Sequence, residues 1–344
     1  MNKTIGAAIA SLILFALVVP VRAVNPVRVM ILDGQSAGPY HDWQHITPVL
    51  KKELEDAGLF KVDVVTAPQS GGDFSAFNPD FRRYQVVVLN YDGQDWPTEL
   101  KASFENYIKD GGGLVTVHAA DNAFPDWQGF NKMIGVGGWR RRNENSGPLW
   151  YMKDGKLVSD DSPGSAGSHG ARLPFQVTAQ QSEHPIMKGL PRVWTHVADE
   201  LYATLRGPGE NMTVLATAHS DPGNRGTGRD EPILMVLQYG KGRIFHTTMG
   251  HDVSALSCVG FITTFRRGTE WAATGTVTQE IPATFPTAET VSYRIDIAAM
   301  DPTYKYGAGG PPRPGTMPAG RGPGPAVLVP PVVQPGSTVP AVVQ

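Results

Sequence analysis

The stretch that most constrains this chain is Gly111-Gly112-Gly113-Leu114-Val115-Thr116-Val117-His118-Ala119-Ala120-Asp121. The glycines end a helix and open a turn, Leu114 to Val117 is a short β-rich run, and a histidine follows directly. A buried strand of this kind belongs in a sheet covered by helices on both faces. In such sheets ligands bind beyond the carboxyl ends of the strands. The segment therefore predicts an α/β fold and makes His118 a candidate site residue. The plainer alternative is a core histidine bonded to a backbone carbonyl.

The flanking residues extend the pattern. Val27 to Leu32 reads as a first strand ending at Asp33, followed by a polar loop with His41-Asp42-Trp43. Thr47-Pro48 then reads as the start of a helix that Gly58 stops. Val62 to Thr66 and Tyr84 to Asn90 read as strands, and Pro97 to Asp110 as a helix with Leu100, Phe104 and Ile108 on one face. Trp127 to Ile134 reads as a short helix. This alternation predicts a doubly wound, mostly parallel sheet. Gly135 to Leu173, with Arg140-Arg141-Arg142 and Ser168-His169-Gly170, reads as one long loop, functional or disordered. Strands are expected again at Phe175 to Ala179, Met212 to Ala218, and in a hairpin-like pair, Ile233 to Tyr239 and Arg243 to Thr248. Gly250-His251-Asp252 and a closing helix over Ala255 to Ala273 follow, and Val291 to Ile297 is an edge strand or an extension.

The ends are different in kind. Lys3, the apolar run Ile5 to Val19 and Val21-Arg22-Ala23 form the pattern of a signal peptide, 1–23, so export by a bacterium to the periplasm or beyond is expected. An uncleaved membrane anchor is the alternative reading, and the only route to a membrane. The folded domain is then 24–292, and 293–344 is an extension plus a flexible tail of proline, glycine, alanine and valine from Gly307 onward. A formal charge of -2 with no basic stripe argues against nucleic acid as a partner. The single cysteine, Cys258, rules out an intrachain disulfide, so the fold rests on an ordinary core.

The carboxyl-end rule gathers His41, Asp92, His118 and His251 at one edge of the sheet. Glu200, within Ala198-Asp199-Glu200-Leu201-Tyr202, and His169, in the long loop, are further candidates. Two chemistries suit this set. His41, His118 and His251, with one acid, could hold a divalent metal such as zinc. Alternatively His118, His251, Glu200 and His41 could work as general acids and bases. No close His-Glu-x-x-His pair is present to favour the metal by spacing. His45, His184, His196, His219 and His246 read as structural, and Arg140 to Arg142 as a solvated run. Trp43 and Trp127, with Asp92, Asp121 and His169, are the expected substrate contacts. Trp96, Trp139, Trp150 and Tyr151 lie in neighbouring loops. Flat rings with polar edges suit a carbohydrate.

From Val27 to Phe285 the chain resembles the ThuA-like (trehalose-utilisation) family. The resemblance is carried by Asp33-Gly34-Gln35 with His41-Asp42-Trp43, by Gly111 to Ala120, and by Asn131-Lys132-Met133-Ile134-Gly135. Ser168-His169-Gly170, His184-Pro185-Ile186, Asp199-Glu200-Leu201-Tyr202 and Tyr239-Gly240-Lys241-Gly242-Arg243 through Gly250-His251-Asp252 complete it. It implies a flavodoxin-like, class I glutamine amidotransferase-like fold and a role in carbohydrate metabolism, with disaccharides, glycosides or keto-sugars as substrates. True amidotransferases keep a nucleophilic cysteine where this chain has His118, so glutamine amidotransferase activity is not expected. The reaction type is left open among hydrolase, lyase and isomerase. The rival readings are a non-catalytic sugar-binding protein on the same fold, and a partner-binding protein acting through its tail.

Overall fold

The computed structural model describes residues 25–36 and 40–301, together with the backbone of 324–329. The segment read as a signal peptide, and the proline-rich tail apart from 324–329, lie outside the described residues. In chain order the strands are β1 (Val27–Gly34), β2 (Phe60–Thr66), β3 (Val86–Tyr91), β4 (Gly113–Val117), β5 (Leu149–Lys153), β6 (Lys156–Asp160), β7 (Leu173–Ala179), β8 (Val193–Asp199), β9 (Thr213–His219), β10 (Asp230–Tyr239), β11 (Gly242–Thr247), β12 (Thr290–Arg294) and β13 (Gly324–Val329). The helices are α1 (Trp43–Glu55), α2 (Thr98–Lys109), α3 (Gln128–Ile134), α4 (Val253–Leu256), α5 (Val259–Thr274) and α6 (Ile295–Ala298).

Alternation along the buried strands divides the core into two layers, one on each face of the sheet. Val29, Ile31, Val86, Val88, Val115 and Val117 face one way, onto Val49, Leu50 and Leu54 of α1 and Phe261 and Phe265 of α5. Met30, Leu32, Val87, Leu89 and Leu114 face the other, onto Leu100, Phe104 and Ile108 of α2 and Phe130 and Met133 of α3. With both faces apolar, the strands carry no hydrophobic-polar alternation in the sequence. Helix α5 lies close on β11 because Gly268 has no side chain: a Cβ there would sit 2.2 Å from the Phe245 ring.

Eleven strands form one mixed sheet in the order β2-β1-β3-β4-β11-β10-β9-β7-β8, with β5 and β6 attached along β10. Strands β2, β1, β3, β4 and β11 are parallel, and every pairing from β11 outward is antiparallel. The expectation of a mostly parallel sheet therefore holds for one half only. Two tight hairpins, β5–β6 and β10–β11, force antiparallel pairing in the second half. One of them, Asp154-Gly155 with φ 51° and 72°, turns β5 into β6 inside the stretch read as a loop. Strand β8 was not expected either.

Helix α1 starts at Trp43, with Asp42 at the cap, so Pro48 lies inside the helix and not at its first position. The Asp42 carbonyl already accepts from the amides of His45 and Ile46, which begins the helix before the Thr47-Pro48 signal. The closing helix is broken in two at Ser257-Cys258, with Cys258 capping α5. Strand β12 pairs with β13 in a small separate sheet and does not join the edge of the large one. Among the described residues no helix is long and apolar enough to cross a membrane.

Candidate functional site

His118 is the first residue after β4 and opens a 3-10 turn, His118–Asn122. Its φ of 41° places it in the left-handed region, which a non-glycine residue adopts only when its surroundings hold it there. The ring is pinned by Nδ1, which lies 2.7 Å from the Thr248 carbonyl just beyond β11. A carbonyl only accepts, so Nδ1 carries a proton and Nε2 is the nitrogen turned to the cluster. That nitrogen points at His251 Nδ1, 3.3 Å away, and at Glu200 Oε2, 3.7 Å away. His41, just before α1, brings its ring to 5.0 Å from that of His118 and 5.1 Å from that of His251.

His251 and Glu200 come from distant strands. His251 follows β11 through Gly250, whose φ of 112° and close neighbours Leu256, Phe261 and Val117 leave no room for a side chain. Glu200 follows β8, the far edge of the antiparallel half. Asp199 joins the two ends. Its buried carboxylate accepts from the amides of Gly250 (2.8 Å), His251 (3.1 Å) and Glu200 (2.8 Å), and from His196 Nε2 (3.0 Å). Burial alone would raise its pKa, but the His196 hydrogen bond and charge hold it down at about 2. The antiparallel half must therefore curl until the end of β8 meets the end of β11. Glu200 Oε2 thereby reaches His251 Nδ1 at 3.1 Å.

His41, His118, Glu200 and His251 each offer one ligand atom, and these atoms lie within 4.8 Å of one another. Burial pushes the His41 pKa down to about 3, helped by the charges of His118 and His251, so its ring is neutral at ordinary pH. Glu200 is held well below the usual carboxylate range: burial opposes this, and the hydrogen bonds and charges of His118 and His251 prevail. One carboxylate and at least one neutral imidazole, gathered at a single point, is a donor set suited to a divalent transition metal. The fit is supported by His41 Nδ1, which is buried without a hydrogen-bond partner, an atom a cation would satisfy. It is also supported by the Thr248 carbonyl, since metal-binding histidines commonly donate their second nitrogen to such a group.

The cluster opens into a cavity of about 1110 Å³. Trp43, Asp92 and His169, three of the residues expected to contact substrate, line it, and His169 Nε2 lies 3.8 Å from Glu200 Oε1. Asp121 and Trp127 do not, and both are corrections to the expected substrate contacts. Asp121 is fully buried with its carboxylate 2.7 Å from His246 Nε2. Trp127 stacks on Phe130, with ring centroids 5.7 Å apart, and its Nε1 donates to Glu105. The 3-10 turn after His118 carries Asp121 away from the cavity, and the amphipathic helix α3 draws Trp127 into the core.

Several cavity residues were not singled out in the sequence. Tyr202 lies with its ring 4.1 Å from that of His118 and its hydroxyl 3.3 Å from His41 Nε2. Arg140, read as part of a solvated run, is in the wall, with Nε 2.6 Å from Asp92 Oδ1. Its neighbour Arg142 is buried and structural, donating to the carbonyls of Asn122, Gly138 and Ala123 and to Asn131 Oδ1. Of the three, Arg141 is exposed, Arg140 partly exposed and Arg142 buried. No periodicity marks these roles; the clue available was the proximity of Tyr202 to Glu200 in the chain. His196 and His246 are buried against Asp199 and Asp121, in line with a structural reading.

An α/β fold with a mixed sheet, carrying a histidine-carboxylate cluster beyond its strand ends, is the class of protein defined so far. The family model for ThuA, trehalose utilisation, matches residues 28–272, and the chain belongs to that family. The crystal structure of a protein described as ThuA-like from Parabacteroides merdae ATCC 43184 is 48% identical, with a TM-score of 0.76, over 79% of this chain and 99% of that one. A second ThuA-like protein, from Bacteroides uniformis ATCC 8492, is 20% identical with a TM-score of 0.52, over 76% of this chain and 97% of that one, and speaks for the fold alone. No curated protein matches the sequence.

Proposed function

We propose that this chain is an exported enzyme of carbohydrate metabolism, acting on a disaccharide, glycoside or keto-sugar at the His41, His118, Glu200 and His251 cluster. The observation that carries the reading is that cluster, four potential ligand atoms within 4.8 Å of one another at a sugar-sized cavity. Membership of the trehalose-utilisation family supports the substrate class. A divalent metal such as zinc would be held by His41, His118, His251 and Glu200. When bound it would supply a Lewis acid to polarise a carbonyl or glycosidic oxygen, or lower the pKa of a water.

The chain's own residues divide the remaining work. His118 is held by Thr248 with Nδ1 as the donor; burial would lower its pKa, but the Glu200 hydrogen bond and the Asp199 charge raise it, so Nε2 can hold a proton facing Glu200. Glu200 is ionised and can accept a proton. His169, on the loop over the cavity, is placed to contact a substrate hydroxyl. Burial keeps the Tyr202 phenol protonated at ordinary pH, leaving its O–H as a donor.

The parallel half runs 2-1-3-4-5 when β11 is counted as the fifth strand, the order of flavodoxin-like sheets, which favours the amidotransferase-like assignment of the fold. The chemistry of that fold does not carry over. On that assignment His118 would stand at the turn of the nucleophilic cysteine, and Cys258 is fully buried. Carbohydrate is the expected partner, with no nucleic acid and no membrane beyond an uncleaved leader.

The test is turnover of a panel of disaccharides, glycosides and their keto forms by the purified chain, before and after chelation, and by His118→Ala. The reading expects turnover of at least one panel member and its loss in the variant. Saturable sugar binding with no turnover, unaffected by His118→Ala, would instead support a non-catalytic sugar-binding protein.

A further inference from the structure

Beside the histidine cluster the cavity wall holds a second polar group that the reaction centre does not use. Asp92 follows β3 and is 1% exposed, yet neither of its carboxylate oxygens has an aligned hydrogen-bond donor. Arg140 Nε approaches Oδ1 at 2.6 Å, an ion contact without hydrogen-bond alignment. A buried carboxylate left in this state is costly unless something supplies the missing donors. Asp92 is among the residues that line the cavity.

The segment bearing Arg140 is itself unusual. Trp139, Arg140 and Arg141 have φ of 51°, 45° and 67°, three consecutive non-glycine residues in the left-handed region. Such a run persists only where its surroundings over-determine it. Here the anchor is Arg142, whose buried guanidinium bonds three carbonyls and the Asn131 side chain, while its own carbonyl accepts from Ala166. The Trp139 amide donates to Ala166. Gly167 is pressed against the Trp139 ring, where a Cβ would come within 2.5 Å. The result is a rigid turn that presents the Trp139 ring and the Arg140 guanidinium to the cavity, the ring lying 4.5 Å from Tyr202 and 6.1 Å from His169.

We propose that Asp92, Arg140 and Trp139 form a hydroxyl-recognising subsite that binds a neutral polyhydroxylated ring beside the His41, His118, Glu200 and His251 cluster. Asp92 accepts from a pair of neighbouring hydroxyls, Arg140 donates to a ring or hydroxyl oxygen, and Trp139 covers the apolar face of the ring. The pairing of the two charges sets the class of ligand. Arg140 is already neutralised by Asp92, so a carboxylate or phosphate on the ligand would meet the Asp92 charge. Alone, Arg140 would have favoured an anion. The proposal rests on the carbohydrate reading given above and adds the residues that choose among sugars.

Binding of trehalose, maltose and glucuronate to the full chain, followed by calorimetry, tests it. The wild-type chain is expected to bind a neutral disaccharide saturably and glucuronate far more weakly. Asp92→Asn should weaken the neutral sugar roughly 10- to 100-fold, the loss of a charge-assisted hydrogen bond, and should strengthen glucuronate. Arg140→Gln, at a partly exposed position, should also weaken the neutral sugar without bringing in glucuronate. Sugar binding by the wild type that neither substitution alters would overturn the subsite and leave the carbohydrate reading standing. A wild type that binds neither disaccharide would overturn the subsite, and the carbohydrate reading falls with it only if no glycoside or keto-sugar is bound or turned over either.

Discussion

Two residues show how single side chains are committed to this site. His118 holds a left-handed backbone and a ring fixed through Nδ1, and its Nε2 faces His251 and Glu200. Removing its ring should abolish turnover and metal binding while leaving the fold intact. Far-ultraviolet circular dichroism and metal titration of His118→Ala check this; retained metal affinity would remove His118 from the ligand set. Asp92 gives a pH signature. Burial raises its pKa to about 6, against the lowering pull of Arg140. The folded state therefore binds this proton more tightly than the unfolded chain. Its contribution to stability is greatest below about pH 4 and declines as pH rises towards 6, by roughly 3 kcal/mol for about two pKa units. Asp92→Asn should lose that dependence and gain relative to the wild type at pH 7, as measured by urea unfolding at pH 4.5 and 7.

At the scale of elements, the decisive event is the meeting of the ends of β8 and β11. Asp199 satisfies three amides and one imidazole there, so losing its carboxylate leaves several buried donors unpaired. Asp199→Ala should destabilise the chain by about 3–5 kcal/mol, the usual cost of breaking a buried charged network. Because Glu200 and His251 are the residues it joins, metal affinity should fall further than stability alone explains. Hydrogen exchange should become faster at the amides of Glu200, Gly250 and His251 in particular; uniform acceleration across the domain would argue for a purely structural role.

The same junction explains what the sequence could and could not tell. His41, Asp92, His118 and His251 follow strands of the parallel half, whose apolar runs are legible, and the carboxyl-end rule placed them together. Glu200 was a candidate only as part of a motif, because β8 has polar Thr195 and His196 within it and does not read as a strand. The curl that returns it to the site depends on long-range pairing, which no local pattern encodes. Trp127 and Asp121 failed for the opposite reason: proximity to the site in the chain was read as proximity in space, and a 3-10 turn and a helix direct them elsewhere. Arg140 and Arg142 are separated by one residue yet one faces the cavity and the other the core, a difference set by the left-handed turn between them.

At the scale of the whole molecule, a two-layer core fixes a rigid sheet, and its two halves supply the cluster from opposite sides. A cation bound there would tie β1, β4, β8 and β11 together at one point, so the folded state alone would hold it. At free metal 100-fold above the dissociation constant this adds about 2.7 kcal/mol to stability. For a domain of this size that corresponds to a rise in Tm of roughly 5–10 °C, at about 2–4 °C per kcal/mol. The most direct test of the central claim is therefore elemental analysis of the purified chain, paired with its thermal unfolding before and after chelation. A metal held at the cluster gives one divalent ion per chain, a fall in Tm when the ion is stripped, recovery on its return, and no such cycle in His118→Ala. A wild-type chain that carries no metal, and whose Tm responds to no added divalent ion, would contradict it.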